Sequence, residues 1–349
     1  MLERVGTHFP SNWQYGPEEI HIFDSTAKQV DKHFPNKKNL LINTLWFGSQ
    51  FDNGEWQRAL SFDGKFDNLF LLSVFDPLYL SIEELDILIN KYDIKKVYRI
   101  GMFEDSDHEW NFHALIGKDL MPDYTEEQVL MQDPKYIYML YQRKPRYHRI
   151  EMTEILRQRD LLKHGIVTLG GPDDETDWQG GIQHWEPITI EDYPEDYHHN
   201  GSKEDFAGVP NDLVTVGRLD LWQQHFLNII SETVFDEWQP LLVTEKQWKP
   251  IIGLRPFLVH GNPKTYTWLR KHGFHTFNQY WNHIDVENIG PHDAVWQVIE
   301  FLQTQELTGM YADMLPALRA NKLRFREFSK EQEHRMENIF QANMNNEKS

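Results

Sequence analysis

The hexapeptide Tyr136-Ile-Tyr-Met-Leu-Tyr141 constrains the fold of this chain more than any other segment. It is short, wholly apolar or aromatic, and follows Asp133-Pro134, which is how a β-strand reads. It runs straight into the basic segment Gln142-Arg-Lys-Pro-Arg-Tyr-His-Arg149, after which Met152, Ile155, Leu156 and Leu162 recur at helical spacing. Gly165 reads as the stop of that helix, and Ile166-Val-Thr-Leu169 as the next strand. Strand, loop, helix and strand in this order form a unit whose ligands bind outside the carboxyl ends of the strands. Arg143, Lys144, Arg146 and Arg149 fall at that place. Cations at a helix N-terminus oppose the helix dipole, so pairing with Glu151 and Glu154 explains them less well than an anionic ligand does.

The same grammar returns downstream. Ile229-Ile-Ser-Glu-Thr233 reads as a strand end, and Thr244-Glu245-Lys246 as the start of a short helix that ends before Gly253. Thr244 is placed as the N-cap and Lys246 falls in the first turn. Free backbone N–H groups and the positive end of the dipole favour a phosphate there, and the lysine adds a full charge. A carboxylate beside a phosphate is unfavourable unless it accepts hydrogen bonds from something neutral, so Glu245 suits the paired hydroxyls of a ribose. A capped surface helix with solvated charges would carry the same tripeptide.

Ser231-Glu232-Thr233, then Thr244-Glu245-Lys246, then Pro256-Phe-Leu-Val-His-Gly261 resembles the nucleotide-sugar half of fucosyltransferase-type glycosyltransferases. Over roughly its last two-thirds the chain is also similar to glycosyltransferases encoded by tailed bacteriophages. The first resemblance implies that Glu245 contacts ribose, that Lys246 and Arg149 contact the diphosphate, and that Glu232 matches the family's first glutamate. It also implies inversion at the sugar. Here Glu-Thr stands where the family has Glu-Asn-Ser, and the spacer before Thr244 is longer, which leaves the sugar open.

The first 135 residues read as a second α/β unit. Strands are expected at 39–47, 69–75 and 96–103, with a helix from Ile82 to Tyr92 capped by Ser81 and Glu84. After the third strand comes Glu104-Asp-Ser-Asp-His-Glu109, where Glu104, Asp105 and Asp107 are candidates for the general base that activates an acceptor hydroxyl. A hydrophilic turn would look the same. Asp105-Ser-Asp107 also fits the short metal-binding pattern of some sugar transferases, but three residues recur by chance, and no metal is assigned. His198-His199 beside Asp196 reads as surface, because adjacent loop histidines share one ion poorly.

Composition sets the bounds. The length of 349 residues leaves room for two domains, and 12 Trp with 21 Phe fit a globular chain rather than a disordered one. No cysteine means no disulfide, thiolate zinc site or cysteine nucleophile. The N-terminus lacks the regions of a signal peptide and no apolar run approaches the ~18 residues of a membrane span, so a cytoplasmic protein without membrane partners is expected, in the host cytoplasm if phage-encoded. The net charge of −19 handicaps nucleic-acid binding, although residues 319–326 (Arg-Ala-Asn-Lys-Leu-Arg-Phe-Arg) are basic enough to track a backbone. No dinucleotide or P-loop glycine signature and no nucleophile elbow occurs.

The sequence therefore leads to an α/β chain of two Rossmann-like domains facing a central cleft, the GT-B arrangement. Residues 1–134 would bind the acceptor. Residues 135–330 would bind the nucleotide sugar and carry an acidic insertion near 172–207, followed by a C-terminal helix and frayed tail at 331–349. The donor site would comprise Arg143, Arg146, Arg149, Glu232, Thr244, Glu245 and Lys246, and no cofactor beyond the nucleotide-diphosphate sugar is required. The acceptor would be a glycan, a small molecule or hydroxymethylated DNA. A hydrolase using the acids, or a non-catalytic phage-type accessory or structural protein with a transferase-like fold, are the readings of other classes.

Overall fold

The computed structural model describes residues 2–5, 27–43 except 29 and 33, 55–73, 82–101, 111, 114, 123–142, 145–170, 186, 188, 215–233, 235 and 241–346. The chain divides into two compact units. Met1–Leu115, Lys203–Val209 and Ser329–Ser349 form the first, and Ile116–Ser202 with Pro210–Phe328 the second. Residues 116–134 thus group with the second unit, whereas the sequence reading divided the chain near Asp133-Pro134.

The first unit holds a four-stranded parallel sheet of β1 (Leu2–Val5), β2 (Asn39–Asn43), β3 (Asn68–Ser73) and β4 (Lys96–Gly101), in that spatial order. Parallel neighbours need crossovers, and α1 (Glu55–Ala59) lies between β2 and β3 while α2 (Ile82–Tyr92) lies between β3 and β4. Leu40, Ile42, Phe66, Leu69, Leu71, Leu88 and Tyr92 pack into one core between sheet and helices. Three strands and α2 stand where the sequence puts them. The first strand was not expected, since two of the four residues of Leu2-Glu-Arg-Val5 are charged; it pairs with β2. Ser81, the ends of the expected strands at 44–47, 74–75 and 102–103, and the loop from Glu104 to Glu109 lie outside the described residues.

The second unit opens with α3 (Glu126–Val129), capped reciprocally by Thr125 and Gln128. Its strands are β5 (Tyr136–Gln142), β6 (Gly165–Leu169), β7 (His225–Ser231) and β8 (Phe257–His260), all parallel and ordered β6-β5-β7-β8. The chain starts in the middle of this sheet, goes to one side for β6 and returns to the other for β7 and β8. The direction of winding therefore reverses between β5 and β7, the position at which open α/β sheets bind ligands.

Helix α4 (Tyr147–Gln158) follows β5, as its apolar spacing requires. Its end differs from the sequence expectation. Asp160 adopts φ 57°, the Leu161 N–H bonds to the Leu156 carbonyl at 2.8 Å and the Asp160 N–H to the Arg157 carbonyl at 3.1 Å, so Asp160 supplies the left-handed turn. Gly165 is extended and opens β6 after a 3-10 turn at Leu162–His164. It must be glycine because a Cβ there would collide with the Tyr138 ring.

Four more helices complete the sequence-linked order around the sheet: α5 (Leu219–Trp222) before β7, α6 (Glu245–Ile252) before β8, then α7 (Lys264–Lys271) and α8 (Pro291–Leu302). Just ahead of α7 the Asn262 side chain accepts the Lys264 N–H at 3.0 Å, the N-cap position itself being Pro263 with no side-chain cap, and Gly273 follows the helix at φ 82°. The last helix, α9 (Leu307–Asn346), is far longer than the C-terminal helix read from 331 and includes part of the segment expected to fray. It runs through Pro316, which supplies no N–H to a helix, and Met314, Leu318, Phe325 and Phe328 are buried along it. At the amino ends of β7 and β8, buried Arg255 donates to the carbonyls of His225, Val129 and Trp222 and to the Tyr311 hydroxyl. Of the acidic stretch at 172–206, Glu186 and Ile188 are described, the latter bridging to Leu169; the remainder, with His198 and His199, lies outside the described residues.

Candidate functional site at the carboxyl ends of the second sheet

Three segments meet where the winding reverses. The chain leaving β5 places Arg146 and Arg149 at the start of α4. The chain leaving β7 begins with Ser231 and Glu232. The third segment is the N-terminus of α6.

Arg149 is buried, and its Nη2 donates to the carbonyl oxygens of Ser231 at 3.0 Å and Glu232 at 3.2 Å. Arg146 donates through Nη1 to the Thr233 carbonyl at 2.6 Å. Both arginines thus hold the outgoing end of β7 against the start of α4. Arg146 is also the extended residue preceding α4, with no side-chain cap. Arg143 lies outside the described residues.

Thr244 does what its place in the sequence implies: its hydroxyl accepts from the Lys246 N–H and caps α6. The same hydroxyl donates to Glu232 Oε2 at 2.8 Å, which ties the cap to the end of β7. Glu232 is 1% exposed, and burial raises its carboxyl pKa above the ordinary range, partly offset by Lys246. Lys246 Nζ lies 2.6 Å from Glu245 Oε1, the lysine side chain being 27% exposed and the glutamate 5%. Arg146, Arg149, Glu232, Thr244, Glu245 and Lys246 therefore belong to one end of one sheet. Glu104, Asp105 and Asp107 lie outside the described residues.

Sequence reasoning missed a cluster of rings beside them. His148, next to Arg149, stacks on Phe235 with centroids 4.7 Å apart and planes inclined by 12°. Phe235 also lies 5.1 Å from the His260 ring and 4.9 Å from that of His292, and His260 and His292 are 4.9 Å apart. Burial and the charges of Arg149 and Arg146 depress the His148 pKa to about 2, and burial drives that of His260 well below its ordinary value. Both imidazoles are neutral at any physiological pH. His148 lies in the first turn of α4 and His260 ends β8, so the sequence offered two histidines in segments that nothing in the linear order joins.

The basic stretch on α9 has partners within its own unit. Arg319 forms a bidentate pair with Glu126, Arg326 reaches Asp123 at 2.6 Å, Lys322 donates to the Tyr124 carbonyl and Arg324 to that of His272. Among the described residues no group of three or more histidines and carboxylates is arranged to hold a metal ion, and no helix is long and apolar enough to cross a membrane.

No protein-family model matches this chain, and no curated protein or solved structure shows significant similarity to it.

Proposed function

We propose that the second unit binds a nucleotide-diphosphate sugar at the carboxyl ends of β5 and β7 and that the protein is a glycosyltransferase of the GT-B type. One observation carries the reading: the reversal of strand order between β5 and β7 coincides with the meeting of Arg146, Arg149 and the capped helix start that bears Lys246. Open parallel sheets present helix N-termini and loops at that point, and a cation there favours a phosphate. Lys246 and Arg146, which keep solvent exposure, face the diphosphate. Arg149 positions the end of β7, and Glu245 takes the ribose hydroxyls.

In the reaction the acceptor oxygen bonds to the anomeric carbon as the bond from that carbon to the diphosphate oxygen breaks. The acceptor's proton passes to a carboxylate base, for which Glu104, Asp105 and Asp107 are the candidates. The departing diphosphate is stabilised by the fixed cations, so transfer proceeds without a metal ion. The acceptor is a glycan or small molecule in preference to hydroxymethylated DNA, because the basic stretch of α9 is engaged with Glu126 and Asp123. Thermal stabilisation by nucleoside diphosphates, followed by transfer of labelled sugar to a panel of glycans and to 5-hydroxymethylcytosine DNA, tests the reading. Transfer that stops with a chelator and returns with manganese would overturn its metal-independent form, and a chain stabilised by no nucleotide would be a non-catalytic protein with a transferase-like fold.

A further inference from the structure

The rings beside the cations carry a chemical pattern of their own, set by the direction of their hydrogen bonds. His148 meets the Glu232 carbonyl at 3.1 Å through Nε2; a carbonyl can only accept, so that nitrogen carries the proton and Nδ1 keeps a bare lone pair. A longer chain fixes His260. Thr153 Oγ1 donates to the Arg149 carbonyl and accepts from Gln142 Nε2, both at 2.8 Å, which leaves Gln142 Oε1 to accept from the Ser231 hydroxyl at 3.4 Å. Ser231 has then spent its proton and accepts from His260 Nδ1 at 3.1 Å, so His260 Nε2 is a second bare acceptor. The third, in the ionised carboxylate, is Glu232 Oε1, whose companion oxygen takes the Thr244 hydroxyl. All three atoms are buried, and among the described residues none has a hydrogen-bond partner. Buried polar atoms without partners are rare in native proteins, and three on segments that meet beside Phe235 mark a place where donors are missing.

We propose that His148, His260 and Glu232 form a subsite for the glycosyl group of the donor, closed by Phe235. The inference rests on the nucleotide-sugar reading and names the part of the ligand that lies here. Three acceptors with no facing donor fit a group that can donate at every position. Sugar hydroxyls do so, whereas the polar edge of a nucleobase carries acceptors of its own that would meet these lone pairs. Phe235, whose half-buried ring lies against the His148, His260 and His292 rings, covers the subsite and swings outward on binding. The cations at Arg146 and Lys246, on the same strand ends, hold the diphosphate to which the sugar is attached.

The test is calorimetry with uridine and guanosine diphosphates and with their common sugar conjugates, on the full chain and on His148→Phe, His260→Phe and Phe235→Ala. The wild type binds one sugar conjugate about tenfold or more tightly than its parent diphosphate, the worth of one to three hydrogen bonds. Each histidine variant brings the ratio of the two dissociation constants towards one. Phe235→Ala, which removes the cover and leaves the acceptors in place, raises the ratio. A ratio unchanged in all three variants overturns the subsite while leaving diphosphate binding intact, and a preference set by the base with no contribution from the sugar does the same. Failure of the wild type to bind any diphosphate overturns both this subsite and the function proposed above.

Discussion

Thr244 and Glu232 share a hydrogen bond of 2.8 Å that joins the N-cap of α6 to the residue following β7. One hydroxyl thus donates to a buried carboxyl and accepts from the helix's own backbone. Thr244→Val keeps the shape and removes both bonds. It is expected to cost roughly 1–3 kcal/mol, the loss of a cap together with an unpartnered buried oxygen, and Thr244→Ser to restore most of it. Urea unfolding of the two variants measures this; equal stability of Thr244→Val and wild type would show that the bond contributes nothing.

The buried imidazoles make acid destabilising. His148, His225 and His260 all have folded pKa values below the unfolded 6.5, so the folded state binds fewer protons than the unfolded state in the interval below it. Their contribution is fully present above pH 6.5 and is lost as pH falls. Each contributes a slope approaching about 1.4 kcal/mol per pH unit once the unfolded histidine is protonated. Glu232 has the opposite sign: its raised pKa means stability is lost as pH rises from the unfolded 4.5 through the folded value. Unfolding free energy is therefore expected to fall steeply from pH 7 to 5, and more gently in His148→Phe. A flat profile over that interval would contradict the buried neutral state.

Arg255 should be the costliest single position in the second unit. Its guanidinium is buried among carbonyls and the Tyr311 hydroxyl, and burial brings its pKa down to about 10. Arg255→Met leaves the carbonyls of His225, Val129 and Trp222 without this donor and is expected to destabilise by roughly 3–5 kcal/mol. A calorimetric melting temperature within a degree or so of wild type would refute that role.

Much of the second unit could be read from sequence because its signals are local. The apolar run of β5 and the Thr244 cap each depend on residues a few positions apart, and both appear in the structure. What was not legible depends on distant residues. Gly165 reads as a helix stop in one dimension, yet its glycine is demanded by the Tyr138 ring across the β5–β6 pair. The histidine cluster required knowing that β8 and the start of α4 both come into ring contact with Phe235. Arg149 is recognisable as basic from its letter alone, but its bonds to the carbonyls of β7 follow from the strand order. The short strand Leu2–Val5 carried too few apolar residues to stand out.

Arg149→Ala should separate positioning from binding. Because Nη2 braces the Ser231 and Glu232 carbonyls, this variant is expected to lose stability by roughly 2–4 kcal/mol as well as ligand affinity. Lys246→Ala, at a side chain 27% exposed, should cost less stability than Arg149→Ala. Thermal unfolding without ligand checks both; a larger loss for Lys246→Ala than for Arg149→Ala would reverse the assigned roles.

Glu245→Gln gives a finer reading of the same place. It should weaken binding of a nucleoside diphosphate while leaving inorganic diphosphate nearly unaffected, because the carboxylate is assigned to ribose. Equal losses for the two ligands, measured by competition, would remove that assignment.

Titration calorimetry of nucleoside diphosphates against wild type and Lys246→Ala tests the central claim most directly. Saturable binding in the wild type that weakens by about 1.5–3 kcal/mol in Lys246→Ala, with the variant folded, is the expected result. Equal affinity in the two proteins, or no binding by the wild type at millimolar ligand, would contradict a diphosphate site at the meeting of β5, β7 and α6.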